Sequence, residues 1–245
     1  MEARLRRAAD RGLTELPWLD SRHSFAFADF RDPVWLGHGP LRVLNDDRLA
    51  PGGGFPSHAH RHFEILSFVL DGELLHEDSM GEREILRPGD VQRLSAGRGL
   101  VHSEFNASRK RPVHFAQVWL DPGREGPAAT AKPSFELASP GWRAASGLMQ
   151  VAGGDSAISL ATDTEIYAGS LESGEAVTHA LVGERLGWLQ VLSGEFDVAG
   201  QRLHAGDGLA LAGPGELMLQ TPEDAAPGEV LLFDMGSERR TGWDA

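Results

Sequence analysis

Hydrophobic and polar positions along the chain follow the short periods of β-strands. Phe63–Leu70 is a nearly continuous apolar run, broken by Glu64 and Ser67, and reads as a buried strand. Asp71–Gly72 follows as a hairpin signal. Leu74 to Ile85 then runs out and back through a polar tip at Asp78–Glu84. Pro88–Gly89–Asp90 is a turn, Val91–Leu94 a strand, and Ala96–Gly97–Arg98–Gly99 a glycine-rich turn before a strand over Leu100–Phe105. Val113–Leu120 (VHFAQVWL) is a further apolar strand. Upstream, Trp18–Asn45 reads as short irregular strands, in which Ser24–Ala28 alternates small and aromatic residues as a half-buried strand does. Residues 1–16 read as a short helix or a frayed arm, with Arg4, Arg6, Arg7 and Arg11 in solvent. The 30 glycines and 14 prolines punctuate the chain throughout and helical periodicity is scarce, so the pattern is all-β.

Asp121–Ser134 changes character. It is rich in Pro, Gly and Ala, has no period, and reads as a linker. Further short strands follow to about residue 235, then a polar tail, GSERRTGWDA. The two sides of the linker share signatures in the same order. Val69–Glu73 recurs at Val191–Glu195, 122 positions on, and Leu86–Asp90 recurs at Leu203–Asp207, 117 positions on. Two similar β-domains are expected, 1–133 and 134–245.

Candidate chemistry concentrates in the first domain. His58 and His60 form one pair spaced i, i+2, and His102 and Glu104 another. Side chains alternate faces along a strand, so each pair points one way. Two such strands side by side aim three imidazoles and one carboxylate at one point, enough to hold a divalent metal with open positions. Carried forward by the repeat offsets, the four positions fall on Ala180, Val182, Leu219 and Thr221, none of them a ligand, with His179 one place off and read as a surface residue. One metal site is therefore expected, in the N-terminal half. His76 and Asp78 read as exposed near a hairpin tip, His114 as a satisfied core histidine, and Asn106 as bonding a neighbouring turn; His23 and His38 receive no role.

Composition narrows the classes. Hydrophobic residues make up 41%, enough for a sizeable core, and the net charge of −13 disfavours a nucleic-acid backbone or an anionic membrane as partner. There is no cysteine, so any metal must be held by His and carboxylates. No run approaches the roughly 18 apolar residues of a membrane span. The N-terminus is basic without an apolar segment after it, and the cytoplasm is the default location.

The segments WLDSRHSF, GPLRVLNDD, GGGFPSHAHRHFEIL, HEDSMG, RPGDVQRLSAGRG and HSEFN together resemble the pirin family of bicupins, and its bacterial quercetinase-like members in particular. The resemblance is strong over roughly the first half of the chain and weak over the second. It implies two β-barrels of double-stranded β-helix (jelly-roll-like) form, with a metal only in the first, held at His58, His60, His102 and Glu104. The general cupin pattern would instead use the position of Glu64, which here reads as a supporting residue. Ala59 stands where the family often has Pro. His62, where relatives often carry Gly or an acid, shares the parity of His58 and His60 and reads as a group behind the ligands or at the pocket mouth.

The activity that the resemblance implies is metal-dependent dioxygenation of a flavonol such as quercetin. The 3-hydroxyl binds as its anion, Glu104 takes the proton, dioxygen adds across the 2,3-bond, and the heterocycle opens with loss of carbon monoxide. The implied cofactor is one divalent transition metal, among Fe, Mn, Ni, Co, Cu and Zn. The implied partners are a small aromatic phenol and O2, with monomer or homodimer both open. The alternative that pirins offer is a non-enzymatic, metal-dependent sensor or regulatory protein. A sugar-phosphate isomerase would need a cationic cluster, and only Arg61 and Arg98 stand near the ligands.

Overall fold

A computed structural model describes residues 1–123 and 127–237 of the chain, and the regular secondary structure of those residues is almost entirely strands. In chain order they are β1 (Glu2–Arg6), β2 (Gly12–Leu16), β3 (Leu19–His23), β4 (Leu41–Leu49), β5 (Gly54–His60), β6 (Glu64–Asp71) and β7 (Leu74–Asp78). Next come β8 (Arg83–Leu86), β9 (Val91–Ser95), β10 (Leu100–Asn106), β11 (Val113–Leu120), β12 (Ser134–Ala138) and β13 (Leu148–Ala152). The last are β14 (Thr164–Leu171), β15 (Ala176–Leu181), β16 (Leu186–Ser193), β17 (Glu195–Val198), β18 (Gln201–His204), β19 (Gly208–Ala212), β20 (Gly215–Gln220) and β21 (Gly228–Met235). The polar tail expected after Met235 lies outside the described residues from 238 on.

The chain forms two compact units. One is Gly12–Pro140; the other joins Met1–Arg11 to the residues from Gly141 onward. These limits differ from the division expected at 133/134, at both ends and for hydrogen-bonding reasons. The stretch after the linker continues as β12, which pairs with β9 from Ser134↔Ser95 to Ala138↔Val91. Arg93 fastens it, bonding Ser134 Oγ at 2.8 Å and Glu136 at 2.6 Å. At the other end the supposed frayed arm is β1, an edge strand paired with β19 from Glu2↔Ala212 to Arg6↔Gly208. Arg6 is buried, and Arg7 bonds Asp207 at 2.9 Å. The expected strand at Ser24–Ala28 is also absent: Phe27 and Phe30 bridge around a tight turn, and Ala28 has a positive φ of 50° that no strand accommodates.

Each unit has the same plan. In Gly12–Pro140 a seven-stranded sheet, β12-β9-β6-β11-β4-β3-β2, accompanies a four-stranded one, β5-β10-β7-β8. The other unit has β1-β19-β16-β21-β14-β13 and β15-β20-β17-β18. The repeat is visible in its turns. Asp90 accepts from the Arg87 amide at 2.7 Å, as Asp207 accepts from the His204 amide at 3.1 Å. The preceding glycines, Gly89 and Gly206, both have positive φ and donate to Val69 and Val191 respectively. Each unit buries apolar residues between its sheets: Leu19, Leu49, Val69, Leu74, Leu86 and Phe115 in one, and Leu189, Val191, Phe196, Leu211, Leu217 and Leu232 in the other.

Asn106 ends β10 by satisfying three carbonyls, those of Leu49, Ala50 and Arg111, while its Oδ1 accepts from the Ser108 amide. The expected turn contact is thus present. Asn106→Ala leaves these buried groups without partners, and the expected cost is about 2–3 kcal/mol. Urea unfolding of the variant beside wild type checks this; a loss below about 0.5 kcal/mol contradicts it.

Candidate metal centre

The site lies where β5 and β10 run antiparallel. His102 stands opposite His58, and Glu104 opposite Phe55, so β5 holds one extra residue between the two pairings. That bulge falls next to Pro56, whose missing N–H makes it unfit for a regular ladder. Along β5, Ala59 is exposed while His58 and His60 turn inward; along β10, Val101 is exposed while His102 and Glu104 are buried. Gly54 permits the close approach, since a Cβ there would meet the Glu104 carbonyl at 2.4 Å.

Three imidazoles converge. Ring centroids are 4.5 Å apart for His58–His102, 4.7 Å for His58–His60 and 4.9 Å for His60–His102. One ligating atom from each lies within 4.8 Å of the other two. His58 Nδ1 is 2.8 Å from the Pro56 carbonyl, which can only accept, so Nδ1 carries the proton and Nε2 presents a lone pair. His102 is 1% exposed, yet neither ring nitrogen has a hydrogen-bond partner among the described residues. A buried, unpaired imidazole costs stability unless something else occupies it. A divalent cation is the occupant suited to neutral imidazoles and carboxylates. The residues present therefore fit a metal.

Glu104 is held from the facing sheet. Its Oε1 accepts from Ser67 Oγ at 3.1 Å and its Oε2 from Gln117 Nε2 at 2.6 Å. It forms a second ligand-competent group with His102 and His76, adjoining the first through His102. Glu64 is three residues from Ser67 on β6, hence on the opposite face, and belongs to neither group. His62 does not continue the β5 parity. The strand ends at His60, and His62 takes a positive φ of 66° with its amide bonded to the Gly97 carbonyl.

His76 and Asp78 were expected in solvent. Their side chains are instead fully buried and bonded to each other at 3.1 Å, and Phe135 of β12 stacks over the His76 ring at 5.1 Å. His114 bonds Asp46 at 2.6 Å, as a satisfied histidine should. His179 is not a surface residue: it faces inward with Val177 and Leu181, and bonds Asp234 at 2.8 Å. Both ligand-competent groups among the described residues lie in Gly12–Pro140.

A polar row supports the centre. Strand register places His23, Asn45, Gln117, Ser67 and Gln92 side by side across β3, β4, β11, β6 and β9. Cross-strand partners share a face. Ser67 and Gln117 show that this face looks at Glu104. All five are buried. The five come from strands far apart in the chain, and only the pairing between those strands brings them together, so the row has no signature in the sequence. Beside it opens a pocket of about 400 Å³, lined by Phe27, Phe55 and Trp119 together with Asp47, His60 and Glu104. That volume lies in the range of small-molecule sites.

The family model described as pirin matches residues 3–120, and the quercetinase C-terminal cupin domain matches residues 149–235. A quercetin 2,3-dioxygenase of Escherichia coli strain K12 is 36% identical over 234 residues, covering 94% of this chain and 97% of that one. The chain belongs to the pirin family. This pirin superposes on the crystal structure of YhhW from Escherichia coli with a TM-score of 0.89, at 35% identity over 96% of this chain and 98% of that one. It also matches the nickel(II) complex of the bacterial pirin YhhW, with a TM-score of 0.87 and 34% identity over 96% and 99% of the two chains. The fold is accordingly a bicupin, with a potential His/Glu metal site in its first cupin. Among the described residues no helix is long and apolar enough to cross a membrane.

Burial first, and then repulsion among neighbouring imidazoles, push His60 and His102 of this pirin down to about 3. Both are neutral in the folded protein above that pH, whereas an unfolded imidazole takes its proton near 6.5. A depressed imidazole favours the unfolded chain once that chain begins to protonate. Stability of the metal-free protein should therefore fall as pH drops below about 6.5, by about 1–2 kcal/mol per ring near pH 5. Urea midpoints at pH 7, 6 and 5 measure it, and His60→Asn should flatten the slope. An unchanged slope in that variant contradicts the assignment.

Proposed function

We propose that the protein is a metal-dependent dioxygenase that opens the heterocycle of a flavonol such as quercetin and releases carbon monoxide. The observation that carries this reading is the set of three inward imidazoles, one of them buried with both nitrogens unpartnered, beside an aromatic-lined pocket. The name of the Escherichia coli relative supports the same substrate class. In this reading His58, His60, His102 and Glu104 hold one divalent transition metal. Bound there, the ion supplies a Lewis acid that favours the enolate of the substrate over the enol and provides a place for dioxygen.

The chain does the rest. Trp119, packed edge-on against His60 at 4.8 Å, and Phe27, packed edge-on against Trp119 at 5.6 Å, form a wall that suits a flat aromatic ring. Glu104 accepts the 3-hydroxyl proton. Ser67 and Gln117 hold its carboxylate in place while leaving lone pairs free. A flat ligand seated against Phe27, Phe55 and Trp119 would displace water from the pocket, which would otherwise reprotonate the substrate anion. Overall, one flavonol and one O2 give the ring-opened ester and CO.

The test is oxygen uptake with quercetin, followed with loss of the flavonol absorbance, in protein loaded in turn with Fe(II), Mn(II), Ni(II), Co(II) and Cu(II). Uptake equal to flavonol loss is the expected result. No turnover in protein shown to be loaded overturns the reading and favours a metal-dependent regulatory role.

A further inference from the structure

Asp47 has no part in the reading above, yet it lines the same pocket. It lies on β4, is 1% exposed, and its Oδ1 is buried without a hydrogen-bond partner among the described residues. Ser21 on β3, its cross-strand neighbour, bonds the carboxyl. No ion pair to Asp47 occurs among the described residues, and its charged neighbours, Asp46, Glu104 and Asp20, are all acidic. A buried carboxyl without a cation resists ionisation, and burial pushes this one up to about 7. A carboxyl oxygen without a partner can accept a hydrogen bond from a ligand hydroxyl in either protonation state. The surrounding polar groups are already engaged: His23 bonds Thr14 and Asn45, each at 2.9 Å, and Gln117 bonds Glu104 and Trp119. Among these groups on the wall formed by β2, β3, β4 and β11, the open hydrogen-bonding position is therefore that of Asp47.

We propose that Asp47 is a specificity-determining residue, whose free oxygen hydrogen-bonds a second hydroxyl of the aromatic ligand, distinct from the one that meets the metal. This rests on the flavonol reading and deepens it: the site selects polyhydroxylated phenols over those with only the chelating hydroxyl. The physical basis is asymmetric. A ligand with the hydroxyl gives a partner to a buried polar atom that otherwise has none among the described residues, and one without it leaves that atom unsatisfied.

The experiment is equilibrium binding without oxygen, read from the flavonol absorbance and protein fluorescence. Quercetin is compared with 3-hydroxyflavone on zinc-loaded wild type, Asp47→Ala and Asp47→Asn. Wild type should prefer quercetin by about 10-fold or more. In Asp47→Ala the ratio should fall to within about 3-fold, with 3-hydroxyflavone affinity retained as proof of an intact site. Asp47→Asn keeps a donor and an acceptor and should keep most of the preference. Binding of both ligands with an unchanged ratio in Asp47→Ala overturns this proposal alone. Failure of both to bind wild type overturns it together with the flavonol reading.

Discussion

His102→Ala should leave a folded protein that binds no metal and turns over no flavonol. Loss of a residue that merely orients a ligand lowers metal affinity by about 10–100-fold, so loss of the central donor should exceed about 100-fold. His102 is central because it is common to both ligand-competent groups and sits opposite His58 across the β5–β10 ladder. The fold should tolerate the change. In the metal-free protein both His102 ring nitrogens lack a hydrogen-bond partner among the described residues, so the cavity cost is offset by relief of a buried polar group. Elemental analysis after dialysis and far-UV circular dichroism separate the outcomes. A variant that retains one equivalent of metal would show that the centre lies elsewhere.

Glu104→Gln should retain much of the metal and lose about 10²–10⁴-fold in turnover. An amide still offers one oxygen to Ser67 and to a cation, but it is a far weaker proton acceptor than a carboxylate. The change also turns one acceptor into a donor. The new amide nitrogen would face Gln117 Nε2, now 2.6 Å from Glu104 Oε2. Relief comes either from a Gln117 flip, which breaks its acceptance from Trp119 Nε1 at 3.3 Å, or from an amide that turns its nitrogen to Ser67, whose hydroxyl must then accept instead of donate. Some loss of pocket order should accompany the chemical loss. Double variants discriminate the two causes: Gln117→Glu should restore packing without restoring the rate. A Glu104→Gln protein with metal bound and a wild-type rate would exclude Glu104 as the base.

Much of this was legible in the residues themselves. The i, i+2 pairs name the inward faces of β5 and β10 because strand parity is local and leaves no choice once a strand forms. The hairpin at Asp71–Gly72 follows from a glycine at φ 80°, where a Cβ would meet the Pro112 carbonyl at 2.4 Å. The repeated aspartate turns are readable for the same reason, since each is closed by bonds within a few residues. Parity failed where the strand failed: His62 is in register with His58 and His60 only if β5 continues, and a left-handed residue stops it.

The sequence by itself therefore determined the all-β class, the two-fold repeat and the confinement of the metal-competent residues to the first half, since strand parity and turn signatures are local and can be compared between the two halves without knowing how they pack. Tertiary structure decided the rest. It sent β1 to β19 and β12 to β9, choices that depend on which sheet edge is open. It buried the bonded pair of His76 and Asp78, and stacked on His76 the ring of Phe135, 59 positions away in the chain. It separated Glu104 from Glu64 through the opposite faces of β6. And it aligned His23, Asn45, Gln117, Ser67 and Gln92 into one row, because register between strands distant in sequence is set by packing of whole sheets and not by any one strand.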